Sequence, residues 1–380
     1  MSRAKCLSWH RILAVVLAFA TDIVVAGCGL AVGADPDVPK VLKELKPGHW
    51  YEVPDSQIRP HVPKPTPPGN PKAIITAWNS GAYDSRRQRL LVTGGGHNDY
   101  GGNEIYAFSL QTLQWKRIWG PSKDIPYRSK KSFLTYSDGT PCARHTYDAL
   151  EYLPQNDSLF LQGGSLFYAG GGGGKDTWEF DLKTLKWSRK EDVSPERWAS
   201  LSSVSAYDPV TGHIFLAGNG SSWGMHEYDP KTGKWKRRGR SGITIGLNAE
   251  IDPLKRKFVA IGRGNVYIAD IGTTGRIEFE RVKTKGDTDI LKYQAPGFTY
   301  DSRNRALVAW AGGTDVFVLD LQTLSWKRHR PAPTNRVIPT MQPRQGTYGR
   351  FRYAPKLDVI VCVNDIDQNV YIYRLGPIDR

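Results

Sequence analysis

A short pattern of apolar and polar positions recurs six times along the chain. An aromatic or apolar residue is followed by Asp or a small residue, often with Pro beside it, then by a turn and an apolar run. The six instances are Tyr83-Asp84-Ser85, Tyr152-Leu153-Pro154, Tyr207-Asp208-Pro209, Ile251-Asp252-Pro253, Tyr300-Asp301-Ser302 and Tyr353-Ala354-Pro355. Neighbouring instances lie 44 to 69 residues apart. A recurrence on that scale marks a repeat architecture. In the first repeat Leu90-Leu91-Val92 runs into Gly94-Gly95-Gly96, Ile105-Tyr106-Ala107-Phe108 follows a polar loop, and the turn Gln111-Thr112-Leu113 leads to Trp115. This reads as four strands. The innermost precedes the Tyr-Asp turn, the second runs into the glycines, the third alternates apolar and polar residues, and the outermost begins at Trp. Glycine permits positive φ and close approach of neighbouring backbones. One such four-stranded blade cannot bury both of its faces, but a ring of blades can.

The later repeats keep the order of events. The second carries Leu159-Phe160-Leu161, Gly163-Gly164, Trp178-Glu179-Phe180-Asp181-Leu182 and Trp187. The third ends in Trp235 and the fifth in Trp326, while the fourth has Phe279 at that place and lacks its second glycine. The sixth reaches Tyr371-Ile372-Tyr373-Arg374-Leu375, one strand short. Trp50-Tyr51-Glu52-Val53 is expected to supply the missing strand and close the ring. The Pro-rich stretch 59–72 is expected to be an extended connector, and 39–45 a single helical turn. The expected fold is all-β: a six-bladed propeller of four-stranded antiparallel blades closed by an N-terminal strand. Seven blades is the alternative and requires an unrecognised repeat within 119–143. The expected divisions are a leader at 1–34, an N-terminal segment with the closing strand and connector at 35–72, and the propeller at 73–380.

The glycine pairs, the downstream Tyr/Trp and Asp-Leu, and the Thr-Leu-x-Trp turns resemble kelch repeats and the central propeller of galactose oxidase. The resemblance covers roughly residues 48–375. It implies the architecture and says little about function, because propellers host many unrelated activities. Copper radical oxidases of this fold use a Tyr-His dipeptide, a further His ligand and a Cys cross-linked to a Tyr. None of the eight His residues here follows a Tyr, so that activity is not carried over, and no metal or other cofactor is expected.

Composition fits many short strands and tight turns, with Gly 39, Pro 25, Trp 12 and Tyr 18. The formal charge of +15 biases the choice of partners toward anions. Arg3, Lys5 and Arg11 precede an apolar stretch at 12–20 and then small residues, the order of an export leader. Val25-Ala26-Gly27-Cys28 resembles a bacterial lipobox, in which Cys28 would be lipidated. Val32-Gly33-Ala34 before Asp35 is an ordinary small-residue cleavage site. The protein is thus expected in the periplasm, cell envelope or extracellular space of a bacterium, with a membrane tie only through a lipid on Cys28. Removing 1–34 takes away Arg3, Lys5, Arg11 and Asp22, so most of the basic excess belongs to the folded part. Beyond the leader only Cys142 and Cys362 remain. A disulfide between them is one reading, and a small buried hydrophobe at Cys362 is the other.

Loops that follow the glycines or join one blade to the next are long and varied, and variable loops on a rigid scaffold tend to carry function. They hold His97-Asn98-Asp99-Tyr100, Arg144-His145, Arg197-Trp198, Trp223, His226, Arg263, Arg350 and Asp365. Aromatic platforms beside Arg, His, Asn and Asp suit a glycan: rings stack on sugar faces, and cations pair with carboxylate or sulfate. The leading expectation is a non-catalytic scaffold that recognises an anionic or neutral glycan, or an envelope protein. Its contacts would be Asn98, Asp99, Arg197, Trp198, Trp223, His226, Arg350 and Asp365. The alternative is a lyase on uronate polymers. That reaction needs a cation on the carboxylate and a His or Tyr to remove the α-proton, and His97, Tyr100, Arg144 and His145 are the right groups. Bland readings stand beside both. Arg144-His145 is equally a structural pair before an inner strand, His97-Asn98-Asp99 a simple turn, and Trp198 and Trp223 inter-blade filling. Nucleic acid is disfavoured by export and by dispersed charge.

A reporter fused to residues 1–34 is expected to reach an extracytoplasmic compartment, and Cys28→Ala to abolish lipid labelling under the lipoprotein alternative only. A reporter that stays cytoplasmic overturns the leader reading.

Overall fold

The computed structural model describes residues 38–126, 133–167, 172–193, 201–218 and 223–378. The leader with Cys28, and the pair Arg197 and Trp198, lie outside the described residues. Six small sheets of four antiparallel strands form a six-bladed β-propeller, and in blade 5 a two-residue fifth strand, Lys285–Gly286, joins the outer edge in parallel. Blade 1 runs Gly81–Asp84, Arg89–Val92, Ile105–Ser109 and Gln114–Trp119 from the axis outward, and the other blades repeat it. Inner strands of blades 2 to 6 are Leu150–Leu153, Val204–Tyr207, Asn248–Asp252, Gly297–Asp301 and Phe351–Ala354. Each inner strand touches the next around the ring, blade 6 returning to blade 1. The approach is close enough to exclude side chains at places. A Cβ added to Gly349 would lie 2.3 Å from the Gly81 carbonyl oxygen.

The recurrent turn has a physical cause. After an inner strand, the carboxylates of Asp84, Asp208, Asp252 and Asp301 accept backbone N–H groups two and three residues on. Each turn then ends on a residue with positive φ: Gln88, Asp157, Gly212, Arg256, Arg305 or Asp358. Asp and Asn side chains stabilise such turns by replacing backbone acceptors. Ion pairs tie neighbouring turns together, with Arg87 on Asp157 and Arg256 on Asp208. The hydrophobic core is correspondingly divided into wedges between blades. Leu91, Ile105 and Ala107 of blade 1, for example, meet Leu150, Leu161, Trp178 and Phe180 of blade 2.

Closure takes place in blade 6. His49–Glu52 pairs antiparallel with Tyr371–Arg374, one residue earlier than the expected strand. Trp50 is 3% exposed. Its indole N–H donates to the Thr314 carbonyl at 2.8 Å, and its ring lies 5.6 Å from Trp310 and 4.6 Å from Tyr373. The helical turn is present at Lys40–Glu44. The Pro-rich connector is not simply extended: it begins with a short helical turn at Arg59–His61 and is followed by another at Ala73–Thr76, and its Val62 joins Ile58, Ile74 and Ile75 on either side of it in the wedge between blades 6 and 1. Apolar residues spaced among the prolines give it a reason to fold back. Cys142 and Cys362 are both free and buried in different wedges, so no disulfide joins them. The basic run Lys236-Arg237-Arg238 lies on an outer strand, and that strand is not left bare: Arg238 pairs with Glu227 and Gly239 bridges to Ile277.

Trp50→Ala is expected to destabilise the fold by about 3–5 kcal/mol, the usual cost of emptying a buried Trp site, read as a lowered urea midpoint. A loss below ~1 kcal/mol would contradict the role given to the closing strand.

Candidate functional site

The long-loop end of the axis is ringed by one residue per blade, each just before an inner strand and each with a left-handed backbone. These are Trp78 (φ 44°), Tyr147 (φ 48°), Ser202 (φ 58°), Gly246 (φ 73°), Ala295 (φ 38°) and Tyr348 (φ 50°). For a bulky residue this conformation costs roughly 1–3 kcal/mol. The hydrogen bonds show what offsets it. The Tyr147 amide donates to the Trp78 carbonyl at 2.7 Å, the Ala295 amide to the Gly246 carbonyl at 2.8 Å, and the Tyr348 amide to the Ala295 carbonyl at 3.2 Å. The Gly246 amide donates to the Ser202 hydroxyl at 3.0 Å. Turning each backbone sideways builds a collar that links blade to blade.

Three aromatic residues of the collar fall on the adjacent blades 6, 1 and 2. Tyr348 is buried and meets Tyr147 edge-on at 6.4 Å. Trp78 and Tyr147 are half-buried. Burial raises the Tyr147 phenol to about 12, so it stays protonated. His145 sits among them, its ring 5.1 Å from Trp78, 6.1 Å from Tyr147 and 6.1 Å from His97.

His145 is held by glycine. Its short strand, Arg144–His145, pairs with Ser165–Leu166. A Cβ on Gly96 would lie 2.2 Å from the His145 nitrogen, and one on Gly164 would lie 2.2 Å from its carbonyl oxygen. The glycine pairs of the first two repeats therefore clamp this backbone from both sides. Beyond Gly96 the chain makes a two-residue turn with His97 at φ 30° and Asn98 at φ 62°, closed by the Asp99 amide on the Gly96 carbonyl at 2.7 Å. That turn swings the Asp99 carboxylate onto His145 Nε2 at 2.7 Å. His145 is 2% exposed, and burial lowers its pKa below 6.5 against the opposing pull of Asp99. The neutral ring donates its Nε2 proton to the carboxylate, which leaves Nδ1 with a free lone pair.

Across the collar, the exposed Arg263 (φ 50°) lies in the blade 4 turn. Its Cδ and the Gln294 Cγ stand 2.7 and 3.0 Å from where a Gly246 Cβ would be. Both side chains thus lean over the missing side chain of blade 4.

The structure brings His97, Asp99 and His145 together at the mouth, with Asn98 exposed on the connecting turn. It places the other expected residues elsewhere. Arg144 is buried, pairs with Asp176 at 3.0 Å and donates to the carbonyls of Cys142, Gly163 and Leu134. Tyr100 is buried and donates to Glu104 at 2.6 Å. Arg350 is buried, has no ion pair among the described residues, donates to the carbonyls of Asn79, Val363 and Gly346, and is lowered by burial to about 10. Trp223 is 4% exposed and fills the space over Gly218. His226 lies between Trp223 and Trp235. Asp365 accepts the Asp367 amide and lies 3.8 Å from Lys72. Trp78, Tyr147 and Tyr348 were not singled out from the sequence. Their signal is positional, three residues before an inner strand, and the unequal loops hide it.

No family model matches the chain, and no curated protein matches it. Among solved structures it is similar to a structural genomics protein of unknown function from Bacteroides thetaiotaomicron VPI-5482, at 10% identity over 86% of this chain and 75% of that chain, with a TM-score of 0.49. A likeness at that level carries no argument.

His226 gives a pH test of the fold around the expected site. Burial lowers it to about 4, so the unfolded chain takes up a proton near pH 6.5 and the folded one does not. Stability from this group is full above about pH 6.5 and falls as the pH drops toward about 4, by at most on the order of 3 kcal/mol. Comparing denaturation midpoints across that window, His226→Gln is expected to flatten the slope relative to wild type.

Proposed function

We propose that this protein is a glycan-binding propeller of the kelch type, and that its binding site is the channel mouth of the long-loop face. One observation carries the reading: Trp78 and Tyr147, half-buried and rigidly set by the collar, flank a His–Asp pair, with Arg263 across the opening. Aromatic faces beside a cation and neutral hydrogen-bonding groups are what an acidic saccharide requires. Pre-set backbones reduce the entropy lost on binding. The basic charge of the folded part favours an anionic glycan, and the leader-like N-terminus would deliver the domain to the envelope where such polymers occur.

The His145–Asp99 pair favours a second reading, a uronate lyase. Nδ1 would take the C5 proton, the C4–O bond would break to leave a C4–C5 double bond, and the protonated Tyr147 would supply the proton to the leaving oxygen. Arg263 is the cation suited to the carboxylate in that scheme, in place of Arg144.

Titration calorimetry against anionic and neutral polysaccharides is expected to show binding of an acidic polymer. Trp78→Ala and Arg263→Ala should each weaken it by roughly fivefold or more, the exposed Arg263 without altering thermal stability. Absence of binding across the panel overturns the glycan reading. New double-bond absorbance that His145→Asn abolishes would assign the lyase, and unchanged absorbance removes it.

A further inference from the structure

The other end of the axis holds a cavity of about 360 Å³. Its wall comes from one position repeated in every inner strand: Tyr83, Tyr152, Tyr207, Ile251, Tyr300 and Tyr353. All six occupy the same register, paired with the residue seven places on. The hydroxyls of Tyr83, Tyr152, Tyr207 and Tyr353 donate to Gln88, Asp157, Gln155 and Asp358. Those phenols are therefore tied at the turns, and ring carbon forms the wall.

The floor is charged. Glu151, Glu250 and Arg352 stand one residue before the wall position in blades 2, 4 and 6, and all three line the cavity. Arg352 reaches Glu250 at 3.2 Å and Glu151 at 3.4 Å. One guanidinium thus serves two carboxylates. A third, Asp148, lies buried close enough to act on all three charges, and among the described residues its Oδ1 has no hydrogen-bond partner.

We propose that this funnel binds an aliphatic primary ammonium, free as a polyamine or carried on a lysine side chain. Aromatic walls over an excess of carboxylate attract a cation by its charge and by the ring quadrupoles. An anion would have to displace carboxylates from Arg352. The stem of the ligand would lie against ring carbon and its head would meet Glu151 and Glu250. Burial and Glu250 raise the Glu151 carboxyl to about 7 against the pull of Arg352 and the Ser205 hydroxyl, with Asp148 behind. A bound ammonium would therefore expel a proton near neutral pH. With a formal charge of +15, the chain as a whole repels polyamines, so binding must come from a local site.

The test is calorimetry on the full chain with three probes: spermidine, a capped peptide with one central lysine, and 1,6-hexanediol. One ammonium probe is expected to bind at a single site, with proton release seen as buffer-dependent heat, and the diol is not. Spermidine without the peptide assigns a free polyamine; the peptide without spermidine assigns a protein lysine. Glu250→Gln and Tyr300→Leu should each weaken binding by roughly fivefold or more, and Trp78→Ala, on the opposite face, should leave it unchanged. Failure of both ammonium probes on wild type overturns the proposal, as does undiminished binding by a folded Tyr300→Leu. The wild-type and Tyr300→Leu measurements decide the matter even where Glu250→Gln does not fold.

Discussion

The pairing of His49–Glu52 with Tyr371–Arg374 is the constraint on which the rest depends. Without it blade 6 has three strands, and the wedge that holds the connector loses one wall. With it blade 6 has its fourth, outermost strand, and around the axis every inner strand has a neighbour on both sides. That closed arrangement fixes how near the six strands stand to the axis, and the Gly81–Gly349 approach shows how little space remains. Long-range closure of this kind is entropically costly to form and stabilising once formed.

The collar is a direct product of that closeness. Inner strands near enough to touch can exchange amide–carbonyl bonds just above their first residues, provided the backbone turns left-handed. Ser202, Gly246 and Ala295 do so with small side chains, whereas Trp78, Tyr147 and Tyr348 do so with rings. Strained bulky residues cluster on one side of the mouth, where His145 and Asp99 also meet. Strain of this kind concentrates at working sites.

Much of the architecture was legible in the sequence because it rests on local chemistry. The Asp of four of the six turns caps its own backbone, and the apolar strands follow at fixed offsets, so the anchors announce themselves. The closing strand was legible because one blade was visibly short. What escaped depends on partners that only the folded chain reveals. Arg144 reads as a loop cation until Asp176, 32 residues on, is seen to neutralise it. Tyr100 reads as a loop phenol until Glu104 is seen to hold it under the surface. Glu151, Glu250 and Arg352 were overlooked because a charged residue inside an apolar strand looks like an outward-facing one. Their common register, each one place before an anchor, was the available sign.

Arg352 has an electrostatic consequence. Its side chain leaves blade 6 and meets blades 2 and 4, so a charged bridge spans the axis at the floor of the turn-end cavity. Asp148 and Glu151 belong to one short stretch of blade 2, between the collar and the bridge. Asp148 acts on Tyr348 of the collar and on Arg352 of the bridge alike, so a charge settling at one end is felt toward the other.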